Sequence, residues 1–229
     1  MRRALLPLLL LAAACVPRVN VPEGERQRVA DALAGTTRYL RVAVYVGPFY
    51  GDRSLALVSD RPYSELDLLE SPDGRPILPP PAERILPPGT PVVIQQVQFP
   101  TGVIIVSRPL MTPRYHPWVY LRIEGDERPH VLVLPQTVAS LEDVRGDVDR
   151  VLVGDDPGPA FRALPQAQRE AILRKEPAEG MGRQALVMAW GYPDKILVDR
   201  PAGTEEWTWT GGKRRASLQD EKLVRWEPR

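Results

Sequence analysis

Trp-Val-Tyr-Leu-Arg-Ile at residues 118–123 and His-Val-Leu-Val-Leu at residues 130–134, joined by a polar stretch at 124–129, are the segments whose reading decides the fold. Both are rich in β-branched and aromatic residues, which suit a pleated, half-buried surface. The polar residues between them fit a connection between neighbouring strands. Working upstream, residues 91–99 carry Val92, Ile94 and Gln96 in alternation, and residues 102–106 are almost wholly apolar, which predicts a central strand. Residues 39–46 and 55–58 add two more short strands, and Ser71-Pro72-Asp73-Gly74 is turn chemistry. Pro-Pro-Pro at 79–81 and Pro-Pro-Gly at 87–89 exclude helix from the segment between. Six short strands separated by turn signals predict a β-rich unit over residues 36–136, a small barrel or sandwich.

On the downstream side the pattern changes period. Residues 137–159 read as a linker or helical connector: Ser140 and Asp143 have the spacing of a capping box, and Asp155-Asp156-Pro157-Gly158-Pro159 reads as a boundary. Residues 166–175 form an amphipathic helical pattern, and a second helix at 183–190 stops at Gly191-Tyr192-Pro193. Strands are predicted at 195–198, 205–210 and 213–218, with a fourth candidate at 223–226 and a Gly211-Gly212 hairpin turn. Nearer the start, residues 22–33 predict a short helix with Val29, Ala32 and Leu33 on one face and Gly35 as its stop. The predicted fold class is therefore α+β. An N-terminal β-rich domain, similar in pattern to a bacterial SH3-like barrel or else a sandwich, precedes a small domain at 160–229. That second domain is expected to hold two helices and a three-stranded antiparallel sheet.

Residues 172–226 resemble the small lipoprotein domain of the outer-membrane assembly factor BamE, also called SmpA/OmlA. The resemblance rests on Glu179-Gly180-Met181, the helix ending in Gly191-Tyr192-Pro193, Glu206-Trp207-Thr208-Trp209 and the final Gln219-Asp220-Glu221-Lys222-Leu223-Val224. Trp209 stands where that family has Tyr, and the domain lies at the far end of the chain rather than directly behind an anchor. The resemblance implies an accessory or scaffold role in outer-membrane or envelope assembly, with an envelope protein as partner. Trp207 and Trp209 are two residues apart and share one strand face. They fit either a core against the two helices or an exposed partner platform.

The first residues, Met-Arg-Arg followed by an apolar run and three alanines before Cys15, have the layout of an export signal over residues 1–14. Leu11-Ala12-Ala13-Ala14-Cys15 resembles a bacterial lipobox, with Ala12 in the position where Leu is commonest. The resemblance implies cleavage before Cys15, a covalent lipid on its thiol, and a membrane anchor followed by a tether and short helix over 15–35. Cys15 is the single cysteine, so no internal disulfide is open to it. Val16 in place of Asp points to the outer membrane, facing the periplasm.

Composition narrows the partners. Thirty basic against 29 acidic residues leave no basic excess for a nucleic-acid partner. Only two histidines are present, His116 and His130, with no metal-ligand spacing, and neither a nucleophile elbow nor a phosphate loop occurs. The expectation is a non-catalytic binding protein with no metal and no cofactor beyond the lipid on Cys15. Two readings stay beside it. One is a peptidoglycan-binding module built on the middle domain. The other is a hydrolase using a carboxylate pair such as Asp60 with Glu65 or Asp67. Phe99, Arg114, Tyr115 and Trp118 fall in predicted loops or at their edges, where aromatics and Arg would build a groove or else cap the barrel end.

Overall fold

The computed structural model describes residues 21–228, and the predicted signal, Cys15 and its lipid lie outside the described residues. The chain is α+β, with an eight-stranded sheet and a separate four-stranded antiparallel sheet.

The first unit begins with helix α1 (Glu23–Leu33), which buries Val29 and Leu33, the face expected from their spacing. The strands are β1 (Thr37–Leu40), β2 (Val44–Phe49), β3 (Asp52–Ser59), β4 (Arg84–Leu86), β5 (Pro91–Gln98), β6 (Trp118–Ile123), β7 (His130–Val133) and β8 (Leu152–Val153). They lie in the order β4-β2-β3-β7-β6-β5-β1-β8. All neighbours are antiparallel except β3 and β7, which run parallel with Leu57 opposite Val131.

The deciding hairpin forms as read, Trp118 pairing with Val133 and Leu121 with His130. Its unbroken apolar character follows from burial on both faces. Val119, Leu121 and Leu132 enter the larger core with α1. Trp118 and Val131 enter a second core with Phe49, Leu57 and Tyr63 on the opposite face.

Four expectations are corrected. The predicted strand at 102–106 is instead a short helix, α2 (Gly102–Ser107), with Val103 and Val106 about four-fifths exposed at 80% and 82%. β5 and β6 pair directly, Gln98 opposite Trp118, so the chain between them has no place in the sheet. It leaves the sheet as an excursion bounded by Pro100 and Pro117. The single strand expected at 39–46 is two, broken at Arg41-Val42-Ala43, which offsets the loss of 102–106, and the unpredicted β4 and β8 bring the total to eight.

Residues 137–159, read as a linker or helical connector, form a helical connector packed on the first unit. Helix α3 (Leu141–Val151) carries the predicted capping box of Ser140 and Asp143 and buries Val144, Val148 and Val151 against the first core. β8 then pairs with β1, Leu152 opposite Leu40.

The fourth correction concerns the second unit, which holds three helices rather than two, while the candidate fourth strand at 223–226 does form. The helices are α4 (Gly158–Ala163), α5 (Gln166–Leu173) and α6 (Arg183–Trp190). The sheet runs β12-β11-β10-β9, from β9 (Lys195–Asp199), β10 (Thr204–Trp209), β11 (Arg214–Gln219) and β12 (Lys222–Pro228). Gly211 and Gly212 take positive φ within a four-residue connection, since Trp209 pairs with Arg214. Among the described residues no helix is long and apolar enough to cross a membrane.

Leu152 is fully buried in the first core. Leu152→Ala is expected to lower stability by about 2–5 kcal/mol in urea unfolding, the range for a truncated core leucine. An unchanged midpoint would mean that residues 137–159 do not belong to this core.

Candidate binding cleft

The two units meet along a seam stitched mainly by cations. The Lys175 ammonium, at the end of α5, donates to the carbonyls of Ala43 at 2.7 Å and Asp60 at 2.9 Å. Ala43 N–H in turn donates to the Met188 carbonyl of α6 at 2.8 Å. Lys175 has no carboxylate within bonding distance among the described residues, and burial drives its pKa down to about 7, against the opposing pull of Asp60.

The Arg214 guanidinium donates to Glu65 at 3.1 Å and lies 5.1 Å from the Trp190 ring centroid. Thr210 donates to the same Glu65 carboxylate at 2.7 Å. Arg61 pairs with Asp194 at 3.2 Å, and Arg41 donates to the Tyr192 hydroxyl at 2.6 Å. Gly191 sits at a tight point of the seam. Its φ is +80°, and a Cβ there would stand 2.7 Å from a carboxylate oxygen of Asp60, so only glycine fits this turn.

Beside this seam opens a cleft of about 920 Å³. One wall is the chain that follows β3, from Asp60 to Glu70; the other brings Asp147 and Arg150 of α3 together with Asp194 and the β10–β11 connection. His116 lies in the floor, 7% exposed. Its Nδ1 lies 2.8 Å from the Leu134 carbonyl and its Nε2 lies 3.0 Å from the Gln136 amide nitrogen. This pairing fixes the neutral tautomer, donating from Nδ1 and accepting at Nε2, and burial holds the pKa below its usual value. His116 is thus a structural floor residue with both nitrogens engaged.

The cleft lining counts six carboxylates against three cations, Arg61, Arg150 and Lys213. Glu65 and Asp194 are spent on Arg214 and Arg61, whereas Asp60, Asp67, Glu70 and Asp147 form no salt bridge among the described residues. Burial raises the Asp147 pKa, partly offset by Arg150. The carboxylates weighed for hydrolysis, Asp60, Glu65 and Asp67, do line one cleft. Glu65 is already held by two donors there. Among the described residues no group of three or more His, Cys, Asp or Glu side chains is placed to hold a metal.

The residues chosen from the sequence lie elsewhere. Phe99 and Trp118 are buried at 6% and 1%, so they build no groove. Trp118 instead carries the guanidinium of Arg108, 3.6 Å from its ring centroid. Arg108 also donates to Gln98 and to the carbonyls of Arg114 and His116, tying down the whole excursion. Arg114 and Tyr115 are half-buried on that excursion, where the guanidinium meets the phenol at 3.1 Å.

Trp207 and Trp209 are core, as one of the two readings had it. They pack with Trp190, and their indole N–H groups donate to Glu205 and the Gly191 carbonyl. Neither Arg108 nor Lys175 stood out in the sequence. No motif surrounds either residue, and only their burial marks them.

Lys175 sets a pH dependence with a defined sign. Between the folded pKa of about 7 and the usual lysine value the unfolded chain holds the extra proton, so stability rises with pH across that window. From about pH 7 to about pH 9 thermal unfolding of the intact protein should show a gain approaching ~1.4 kcal/mol per pH unit. Lys175→Met should flatten that slope, and an unchanged slope would place the proton elsewhere. The chain matches no protein-family model, no characterised protein and no solved structure.

Proposed function

We propose that this chain is a lipid-anchored, non-catalytic envelope protein that binds a basic segment of a protein partner in the cleft at the seam. The observation that carries the reading is the cleft itself. It is large enough for several side chains, it is walled by elements locked together through Lys175 and Arg214, and its carboxylates outnumber its cations two to one. Surplus carboxylates in a concave, partly desolvated site raise the local concentration of cationic groups and strengthen their pairing. The anchor is supported by the resemblance of residues 11–15 to a lipobox. Kinship of the tail with BamE is supported by the motifs quoted above and by the succession of α5, α6 and a strand bearing Trp207 and Trp209. On this reading Asp67 and Glu70, both exposed on the cleft rim, meet the partner's Lys or Arg side chains. A lipid on Cys15 would hold the cleft close to the membrane and supply effective concentration without further contacts.

The test is photo-cross-linking from Leu68 in intact cells, followed by identification of the adduct. A protein adduct that falls about tenfold or more in Asp67→Lys/Glu70→Lys is expected. Muropeptides in place of protein, or an adduct indifferent to the charge reversal, would sink the proposal.

A further inference from the structure

We infer that β9 is a self-complementary edge at which a second copy of this chain docks, antiparallel, so that two four-stranded sheets join into one of eight. β9 is the terminal strand of its sheet, paired only with β10. All five of its residues are exposed, including Ile196 at 45%, Leu197 at 55% and Val198 at 55%. Among the described residues nothing covers its outer edge. An apolar edge with open backbone donors and acceptors is a template for another strand.

The face toward the helices explains the exposure. Val198 stands opposite Glu205 and Ile196 opposite Trp207, both buried, so Ile196 and Val198 continue the core row of the sheet. Helix α6 packs toward β12, at the other edge, and leaves that row uncovered.

The occupant is identified by charge and pattern. The stretch Asp194-Lys195-Ile196-Leu197-Val198-Asp199-Arg200 is complementary to itself when reversed. Antiparallel pairing centred on Leu197 sets Leu197 once against its copy and, each twice by symmetry, Ile196 against Val198, Lys195 against Asp199 and Asp194 against Arg200. Directly opposed residues share a face, so the Leu pair and both Lys–Asp pairs lie on the solvent face while Ile196 and Val198 extend the core row across the junction. Parallel pairing in register would oppose like charges and is disfavoured. Asp194 already meets Arg61, and one Asp199 oxygen accepts from Ala202 N–H at 3.1 Å, so the Lys195–Asp199 pairs use the remaining acceptor capacity. The symmetric operator closes at two copies. A contact of five residues per chain is far smaller than a standard stable interface, so the pairing is weak in dilute solution and is favoured where copies share a membrane.

Disulfide trapping in intact cells tests it on the full chain. Leu197→Cys places two thiols at the symmetry centre and is expected to give a covalent dimer on mild oxidation. Val224→Cys, exposed on the opposite edge strand β12, is expected to give no more dimer than the unaltered chain with Cys15 alone. Lys195→Asp added to Leu197→Cys opposes two acidic pairs and should cut the trapped fraction about tenfold, and Asp199→Lys added to that should restore it. Trapping at Leu197 no greater than at Val224 overturns the inference, as does a trapped fraction that ignores both charge changes.

Discussion

Lys175 enters the seam from a backbone at positive φ, directly after α5, and its ammonium reaches the carbonyls of Ala43 and Asp60. Its own carbonyl accepts from the Trp190 indole at 3.2 Å. One residue thus ties the end of α5, the aromatic core of the second unit and two segments of the first sheet. Taking a cation out of water without a carboxylate partner is costly, and the depressed pKa records that cost. What offsets it is the geometry around it. The ammonium is near the Tyr45 ring, and its two carbonyl acceptors sit where the break between β1 and β2 and the end of β3 leave them free. Removing the seam would expose Ala43, which belongs to the core of the second unit although it is carried by the first.

The cleft follows from the same constraint. Its two walls come from different units, so its width is set by how firmly Lys175, Arg214 and the Gly191 turn hold them. Arg214 is the counterpart of Lys175 with the opposite solution. It is buried beside Trp190 and Trp209 but has Glu65 as a charged partner, and that pairing removes one cleft carboxylate from the pool open to a ligand. The acidity left to the cleft is what the seam does not consume.

Local pattern made part of this legible. β6 and β7 were readable because short apolar runs rich in β-branched and aromatic residues flank a polar turn there, and α6 because an apolar stripe ends at Gly191-Tyr192-Pro193, where the turn demands glycine. The capping box of α3 was readable from four residues. Segments set by distant partners were not. Residues 102–106 are β-branched and apolar, the composition of a buried strand, yet direct pairing of β5 with β6 expels them and Arg108 holds the excursion from within. The break at residues 41–43 has no turn chemistry, because it is made by Met188 and Lys175 binding Ala43 from the other unit. β4 hides among prolines as a three-residue strand beside β2.

The aromatic residues show why sequence pattern points to rings that the structure buries. Loop aromatics and paired tryptophans suggest binding surfaces, but four of the five tryptophans have an internal use: Trp118 as a platform for Arg108, Trp190 and Trp209 as flanks for Arg214, Trp207 as a donor to Glu205. Three cations, Arg108, Lys175 and Arg214, are buried at junctions instead of lying on the surface. Aromatic faces and backbone carbonyls receive them there. The surface left over is then acidic at the cleft, and apolar at β9 and α2. On the reading proposed above, recognition falls to carboxylates and aliphatic edges, while the buried aromatic rings hold the fold together.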